Sequence, residues 1–176
     1  MWKYFLPDFY FDRYNDITPQ FLLENNIRTL LLDVDNTLAP YEQAEPDEKI
    51  IAWLSSLSEN GIKYAFISNN SKPDRIELFN KSIGALAYAR SAKPLAKNTR
   101  RALAALGADK ESTAFVGDQI FTDVCAGKWH GMRAIIVPPI KDKTTLFFRT
   151  KRWLERPIMK KFWKIHGECA ERTKKQ

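Results

Sequence analysis

The sequence has little of what most metal and disulfide sites are built from. Its 176 residues include two cysteines, Cys125 and Cys169, and two histidines, His130 and His166. The cysteines have no metal-type spacing and no cysteine neighbours, which excludes a zinc module or a disulfide framework read from spacing. Neither histidine has a second ligand at useful spacing, so both read as structural or surface residues. No stretch approaches the roughly 18 consecutive apolar residues of a membrane-spanning helix. The N-terminal segment is aromatic (Trp2, Tyr4, Phe5, Phe9, Tyr10, Phe11, Tyr14) but is broken by Asp8, Asp12 and Asp16. It lacks the apolar core and small-residue cleavage site of a secretion signal. These absences predict a cytoplasmic protein with reduced thiols. There is also no internal repeat and no low-complexity tract.

What is present is a globular composition, 44% hydrophobic and 28% charged, in a chain long enough for one domain with a full core. The net charge of +7 is unevenly placed. Residues 1–140 carry 16 Lys/Arg against 17 Asp/Glu, whereas residues 141–176 carry 12 against 4. A neutral body therefore precedes a concentrated basic tail, which points to an anionic partner for the tail.

The body reads as alternating strands and helices. Leu30-Leu31-Leu32 leads into Asp33-Val34-Asp35 and predicts a strand over Thr29–Asp35, buried on both faces. Pro46-Asp47 opens a helix with Ile50, Trp53, Leu54 and Leu57 at helical spacing, closed by Gly61. Tyr64–Ile67 predicts a strand ending at Ser68-Asn69-Asn70, followed by a helix through Ile76 and Phe79. Leu86–Tyr88 suggests a short strand. Lys93-Pro94 predicts the start of a helix with Leu95, Thr99, Ala102 and Leu106 on one face. Thr113–Val116 is a strand ending in Gly117-Asp118, a helix is expected from about Phe121 to His130, and Ala134–Val137 is a last strand before Pro138-Pro139. Strands alternating with helices of this length imply an α/β fold, a Rossmann-like three-layer sandwich around a central parallel sheet. The expected organisation is an N-terminal arm (1–28) with a short helix capped by Thr18, a core (29–140) and a basic amphipathic tail (141–176).

In a parallel sheet the strand ends share one side, so residues far apart in sequence can meet there. This edge collects Asp33, Asp35, Ser68 with Asn69, Lys93, Asp118 and Asp123. By itself the Asp33/Asp35 pair is either a polar turn after a strand or a pair converging on a metal or phosphate. The whole set is a kit for phosphoryl transfer. A carboxylate can attack phosphorus, a second can move the proton, and a hydroxyl with an ammonium can hold phosphoryl oxygens. The remaining carboxylates suit Mg²⁺, which prefers oxygen ligands.

The order and spacing of these residues resemble the haloacid dehalogenase-like (HAD) phosphatases. The matches are Asp33-Val34-Asp35-Asn36-Thr37, Ser68, Lys93 and Gly117-Asp118-Gln119-Ile120-Phe121-Thr122-Asp123. The resemblance implies Asp33 as nucleophile and Asp35 as general acid/base. It implies Ser68, with Asn69 beside it, and Lys93 as phosphate ligands. Asp33, Asp35 through its main-chain carbonyl, and Asp118 would bind Mg²⁺, with Asp123 as a further or outer ligand. Neither Thr37–Tyr64 nor Ser68–Lys93 has room for the cap domain that such enzymes usually carry. An uncovered site suits a phosphate on something large, or a lid from another subunit or a membrane. Within the capless group the chain is similar to the YqeG-type branch, related to phosphatidylglycerophosphate phosphatases. Phe5-Leu6-Pro7-Asp8, Asp16-Ile17-Thr18-Pro19, Ser68-Asn69-Asn70 and Gly117-Asp118-Gln119 carry that similarity.

In the tail, Leu146, Phe147, Phe148, Trp153, Leu154, Ile158, Met159, Phe162 and Trp163 alternate with Arg149, Lys151, Arg152, Arg156, Lys160, Lys161 and Lys164. Two readings stand: an interfacial helix on an anionic membrane, or a helix packed on the sheet with a solvated basic face. The leading functional expectation is a Mg²⁺-dependent phosphomonoesterase forming an aspartyl-phosphate, acting on a membrane lipid phosphate such as phosphatidylglycerophosphate. The alternatives are a soluble phosphatase for a small or macromolecular phosphoester, and a non-catalytic RNA- or ribosome-binding module. No nucleic-acid module is recognisable, which disfavours the last.

Overall fold

The sheet is built on β2, Thr29–Leu32, whose four residues are all buried. An apolar strand this uniform can only be satisfied between two layers, and β2 has a strand on each side. It pairs in parallel with β3 (Lys63–Ile67) and β5 (Thr113–Gly117). With β1 (Phe9–Tyr10), β4 (Leu86–Tyr88) and β6 (Arg133–Ile136) these form one six-stranded sheet in the order β1-β6-β5-β2-β3-β4, every pair parallel. The structure, a computed structural model, describes residues 2–141 and 146–173, without the side chains of 146–149, 152 and 168–173. The tail positions Leu146, Phe147, Phe148, Arg149 and Arg152 therefore lie outside the described side chains, as does Cys169.

Helices cover both faces. Leu30 and Leu32 face α2 (Glu48–Glu59) and α3 (Pro73–Asn80) in a cluster with Trp53, Leu57, Phe66 and Phe79. Leu31 faces the other way, toward α4 (Lys97–Leu106) and α5 (Cys125–Trp129), with Phe115, Ala102 and Ala126. The three-layer α/β sandwich is thus the expected one. No additional domain interrupts the chain between Thr37 and β3, where α2 lies, or between Ser68 and Lys93, where α3 and β4 lie. Cys125, the first residue of α5, is buried.

Several local expectations are corrected. The N-terminal arm, expected to hold one short helix, also joins the sheet. It adds β1 beside β6, and Asp8 anchors it by accepting the Ala134 N–H (2.8 Å) and the Lys128 ammonium (2.6 Å). Its capped helix is present as α1, Pro19–Glu24, with Thr18 Oγ1 accepting the Phe21 N–H at 3.2 Å. The strand expected through Asp35 stops pairing at Leu32. The helix expected from Lys93 begins only at Lys97, because Asn69 takes both main-chain groups of Lys93, and Leu95 is left exposed. The helix expected over 121–130 opens as a π-helical turn, Ile120–Val124, in which the Asp123 and Val124 N–H groups share the Gln119 carbonyl.

The tail forms α6, Leu146–Thr173, with Pro157 inside it. Ile158 is buried with Ile120, Val124, Ala134 and Ile136, and the Trp163 ring meets Tyr10 edge-on at 4.8 Å. Among the described residues no helix is long and apolar enough to cross a membrane.

Candidate active site

The register that aligns Leu32 with Phe66 and Val116 brings the carboxyl ends of β2, β3 and β5 to one edge. The Asp33 N–H still reaches the Val116 carbonyl (2.9 Å), so the residue is fixed as the chain leaves the sheet. Its carboxylate accepts Thr37 Oγ1 at 3.0 Å on one oxygen and Lys93 Nζ at 2.5 Å on the other. Lys93 Nζ also lies 2.7 Å from Asp123 Oδ1. Oxygens of Asp33, Asp118 and Asp123 all lie within 4.8 Å of one another, and all three residues are buried.

Asp123 reaches this position because Gly117 has no side chain. A Cβ on Gly117 would stand 2.3 Å from Asp123 Cγ and 2.4 Å from its Cβ, and a change of rotamer does not move the latter. The Gln119 N–H then holds Asp123 Oδ2 at 3.1 Å, and Gln119 Nε2 lies 3.3 Å from Asp118 Oδ1. The π-helical turn is what lets Asp123 fold back over the strand end.

Three carboxylates facing one ammonium leave negative charge in a buried space, which is costly without a further cation. The Asp33 carboxyl is pushed up to about 7, chiefly by burial; Lys93 pulls against this, while Asp123 and Asp118 add to the rise. Burial alone would lower the Lys93 ammonium, but Asp123 and Asp33 outweigh it and hold the group charged, above its usual range. A buried set of carboxylate oxygens is the donor chemistry of a hard divalent cation, so the site fits one.

The remaining expected residues separate into two groups. Ser68 is buried at the end of β3, and its Oγ accepts the Asn70 N–H at 3.0 Å. Asn69, expected beside the phosphate, instead spends its amide on the Lys93 main chain, accepting its N–H (2.6 Å) and donating to its carbonyl (3.2 Å). It sets where Lys93 stands. His130 supports the same loop through Nε2 and the Pro94 carbonyl at 2.9 Å.

Asp35 does not turn its carboxylate toward the Asp33–Asp118–Asp123 group. It accepts Asn70 Nδ2 (2.8 Å) and pairs with Arg75 (3.3 Å). The same-side rule for residues two apart holds only within a strand. Pairing has ended at Leu32, and Asn36 with a φ of 67° turns the chain. Arg75 also reaches the carbonyls of Ala44 (3.2 Å) and Pro40 (3.4 Å), tying the loop before α2 to Asp35.

Sequence reasoning missed Arg75, Asn70 and Thr37 as individual contributors, and Gly117 as a steric requirement. Thr37, Asn70 and Gly117 lie inside the quoted motifs, so their positions carried a signal. An arginine in the first turns of a helix carries none.

A sheet of this order, with its carboxylates gathered where β2 and β5 end, defines a hydrolase of the HAD-like class. The HAD-hydrolase-like family model matches residues 91–143, the stretch holding Lys93, Asp118 and Asp123. A protein of Bacillus subtilis (strain 168) named "Probable phosphatase YqeG" is 33% identical over 157 residues, covering 89% of this chain and 91% of that protein. The chain belongs to the YqeG family of HAD-like phosphatases. Two solved structures share the fold. An uncharacterized protein from Listeria monocytogenes serotype 4b has a TM-score of 0.54 at 18% identity, over 68% of this chain and 85% of that one. The cobalt-bound form of the deoxy-D-mannose-octulosonate 8-phosphate phosphatase from Haemophilus influenzae has a TM-score of 0.52 at 14% identity, over 72% and 75%.

Proposed function

We propose that this phosphatase is a Mg²⁺-dependent phosphomonoesterase that works through an aspartyl-phosphate on Asp33 and acts on a phosphate presented at a membrane surface. The observation that carries the reading is the buried group of Asp33, Asp118 and Asp123 around Lys93. Mg²⁺ held by these carboxylates, and by the Asp35 carbonyl as the family resemblance implies, would neutralise them and stabilise charge on the transferring phosphoryl group. Asp33 supplies the attacking oxygen, steadied by Thr37 on its other oxygen. Lys93 and Ser68 hold phosphoryl oxygens, with Asn69 keeping Lys93 in place. Asp35 gives its proton to the departing oxygen and later takes one from the water that cleaves the aspartyl-phosphate.

Two features favour a lipid phosphate. A groove of about 220 Å³ opens beside Asp118, lined by Tyr10, Ile136, Val137, Pro138, Pro139 and Met159, and can take an apolar part of a substrate. The outer face of α6 exposes Trp153, Leu154 and Ile165 among Arg156, Lys160 and Lys164, a pattern suited to an anionic surface. Phosphatidylglycerophosphate is the favoured substrate. A phosphate-release screen across vesicles containing phosphatidylglycerophosphate, sugar phosphates and phosphopeptides tests this. The expected result is turnover on the lipid that stops in EDTA. Turnover only on soluble phosphates would remove the membrane substrate, and activity unchanged in EDTA would remove the metal.

A further inference from the structure

The basic tail was expected either to bind a membrane or to cover the sheet, and neither role involves the site. The contacts of α6 give it a third. Glu155 is a buried carboxylate, 3% exposed, among the arginines and lysines of the first part of α6. Its Oε1 accepts the Ile120 N–H at 2.9 Å. Ile120 opens the π-helical turn that carries Asp123, and an N–H at the start of such a turn has no partner within the turn itself. One turn earlier on α6, the Lys151 ammonium donates to Gln119 Oε1. Gln119 is the residue whose side chain reaches Asp118 and whose N–H holds Asp123. Gln119 and Ile120, which lead into the turn, are therefore both gripped by α6, and Gln119 connects directly to Asp118 and Asp123.

Burying a carboxylate is expensive unless it is fully engaged, and a solvated Glu155 would serve an amphipathic tail better. Its placement is explained if the turn needs an acceptor fixed from outside. Lys151 acts on the side chain, orienting the Gln119 amide so that its Nε2 faces Asp118. Ile158 adds an apolar contact to Ile120 and Val124 beneath the same turn.

We propose that Glu155 and Lys151 are positioning residues for the metal-binding turn, so that the C-terminal helix is a structural part of the active site. This rests on the reading of Asp33, Asp118 and Asp123 as metal ligands. It also means that deleting residues 141–176 would impair the site as well as any membrane contact.

The test is Mn²⁺ binding to the full chain, read by electron paramagnetic resonance of the free ion, with melting temperature as the folding check. Groups behind metal ligands typically change affinity by about 10- to 100-fold. Glu155→Ala and Lys151→Ala are each expected to weaken Mn²⁺ by about tenfold or more. Glu155→Gln, which keeps an acceptor for the Ile120 N–H, should recover most of the affinity. A folded Glu155→Ala protein that binds Mn²⁺ like the wild type overturns the proposal. Should that variant not fold, unchanged affinity in both Lys151→Ala and Gln119→Ala overturns it instead. Failure of the wild type itself to bind Mn²⁺ or Mg²⁺ would overturn the metal reading and this proposal together. That result is distinct from wild-type binding that the variants leave intact.

Discussion

The strand-end site and the outer face of α6 hold charge in opposite ways. At the site, Asp33, Asp118, Asp123 and Lys93 are buried, and every one of them touches another polar group. On α6, Arg156, Lys160 and Lys164 are exposed to water. Buried charges interact through a low dielectric, so moving one by an ångström or removing it has a large local cost. Exposed charges are screened, and each adds little. The first region holds its charges in a fixed geometry; the second presents its charges freely to solvent.

That contrast predicts a graded series of effects. Asp33→Asn should reduce phosphate release by about 10⁴-fold or more, the scale on which losing a covalent nucleophile acts. The melting temperature should stay near the wild-type value, and retained turnover would remove Asp33 from the nucleophile's role. Gly117→Ala places a Cβ against Asp123 and should cost roughly 1–3 kcal/mol of stability, as overpacking does. Mn²⁺ affinity should fall with it, and a stable variant with normal affinity would show that Asp123 need not fold over Gly117.

Arg75→Ala lies between the two regimes, since Arg75 is mostly buried yet sits at the rim beside Asp35. It should lower kcat/KM for an alkyl phosphate by about 10- to 100-fold, within the usual range for a proton-transfer group. An aryl phosphate, whose leaving oxygen needs no protonation, should be affected much less. Equal losses on both would make Arg75 a structural residue only. At the weak end, Lys160→Ala should reduce binding to anionic vesicles by about fivefold, equivalent to about 1 kcal/mol per basic residue, with the difference shrinking in high salt. An effect as large as that of Gly117→Ala would mean that the outer face of α6 is organised like a site.

The comparison of sequence with structure follows the same division. The parallel sheet was legible because apolar runs such as Leu30–Leu32 and Thr113–Val116 admit only a doubly covered strand. The positions of Asp33, Ser68, Lys93 and Asp118 were legible because each follows a strand or precedes a helix. Less legible was what happens after pairing stops. Asp35 was grouped with Asp33 at the strand end, but pairing has stopped at Leu32 and its carboxylate goes to Asn70 and Arg75. Asn69 was grouped with Ser68 by adjacency, but its amide faces the Lys93 main chain. The tail admitted two readings, and α6 packs on the core with a solvated basic face: Glu155, Ile158 and Phe162 are buried, while Trp153, Lys160 and Lys164 face outward.

The sequence by itself determined the layer order of the core, the edge on which its polar residues collect, and the excess of positive charge at the C-terminal end. These depend on local periodicity and composition, which are properties of a short stretch of chain. Only the tertiary structure decided which carboxylates meet, that Gly117 must lack a side chain for Asp123 to join them, and that Glu155 reaches the turn from α6. Those outcomes depend on distances set by the folded chain, some between residues as far apart as Asp33 and Asp118 or Ile120 and Glu155.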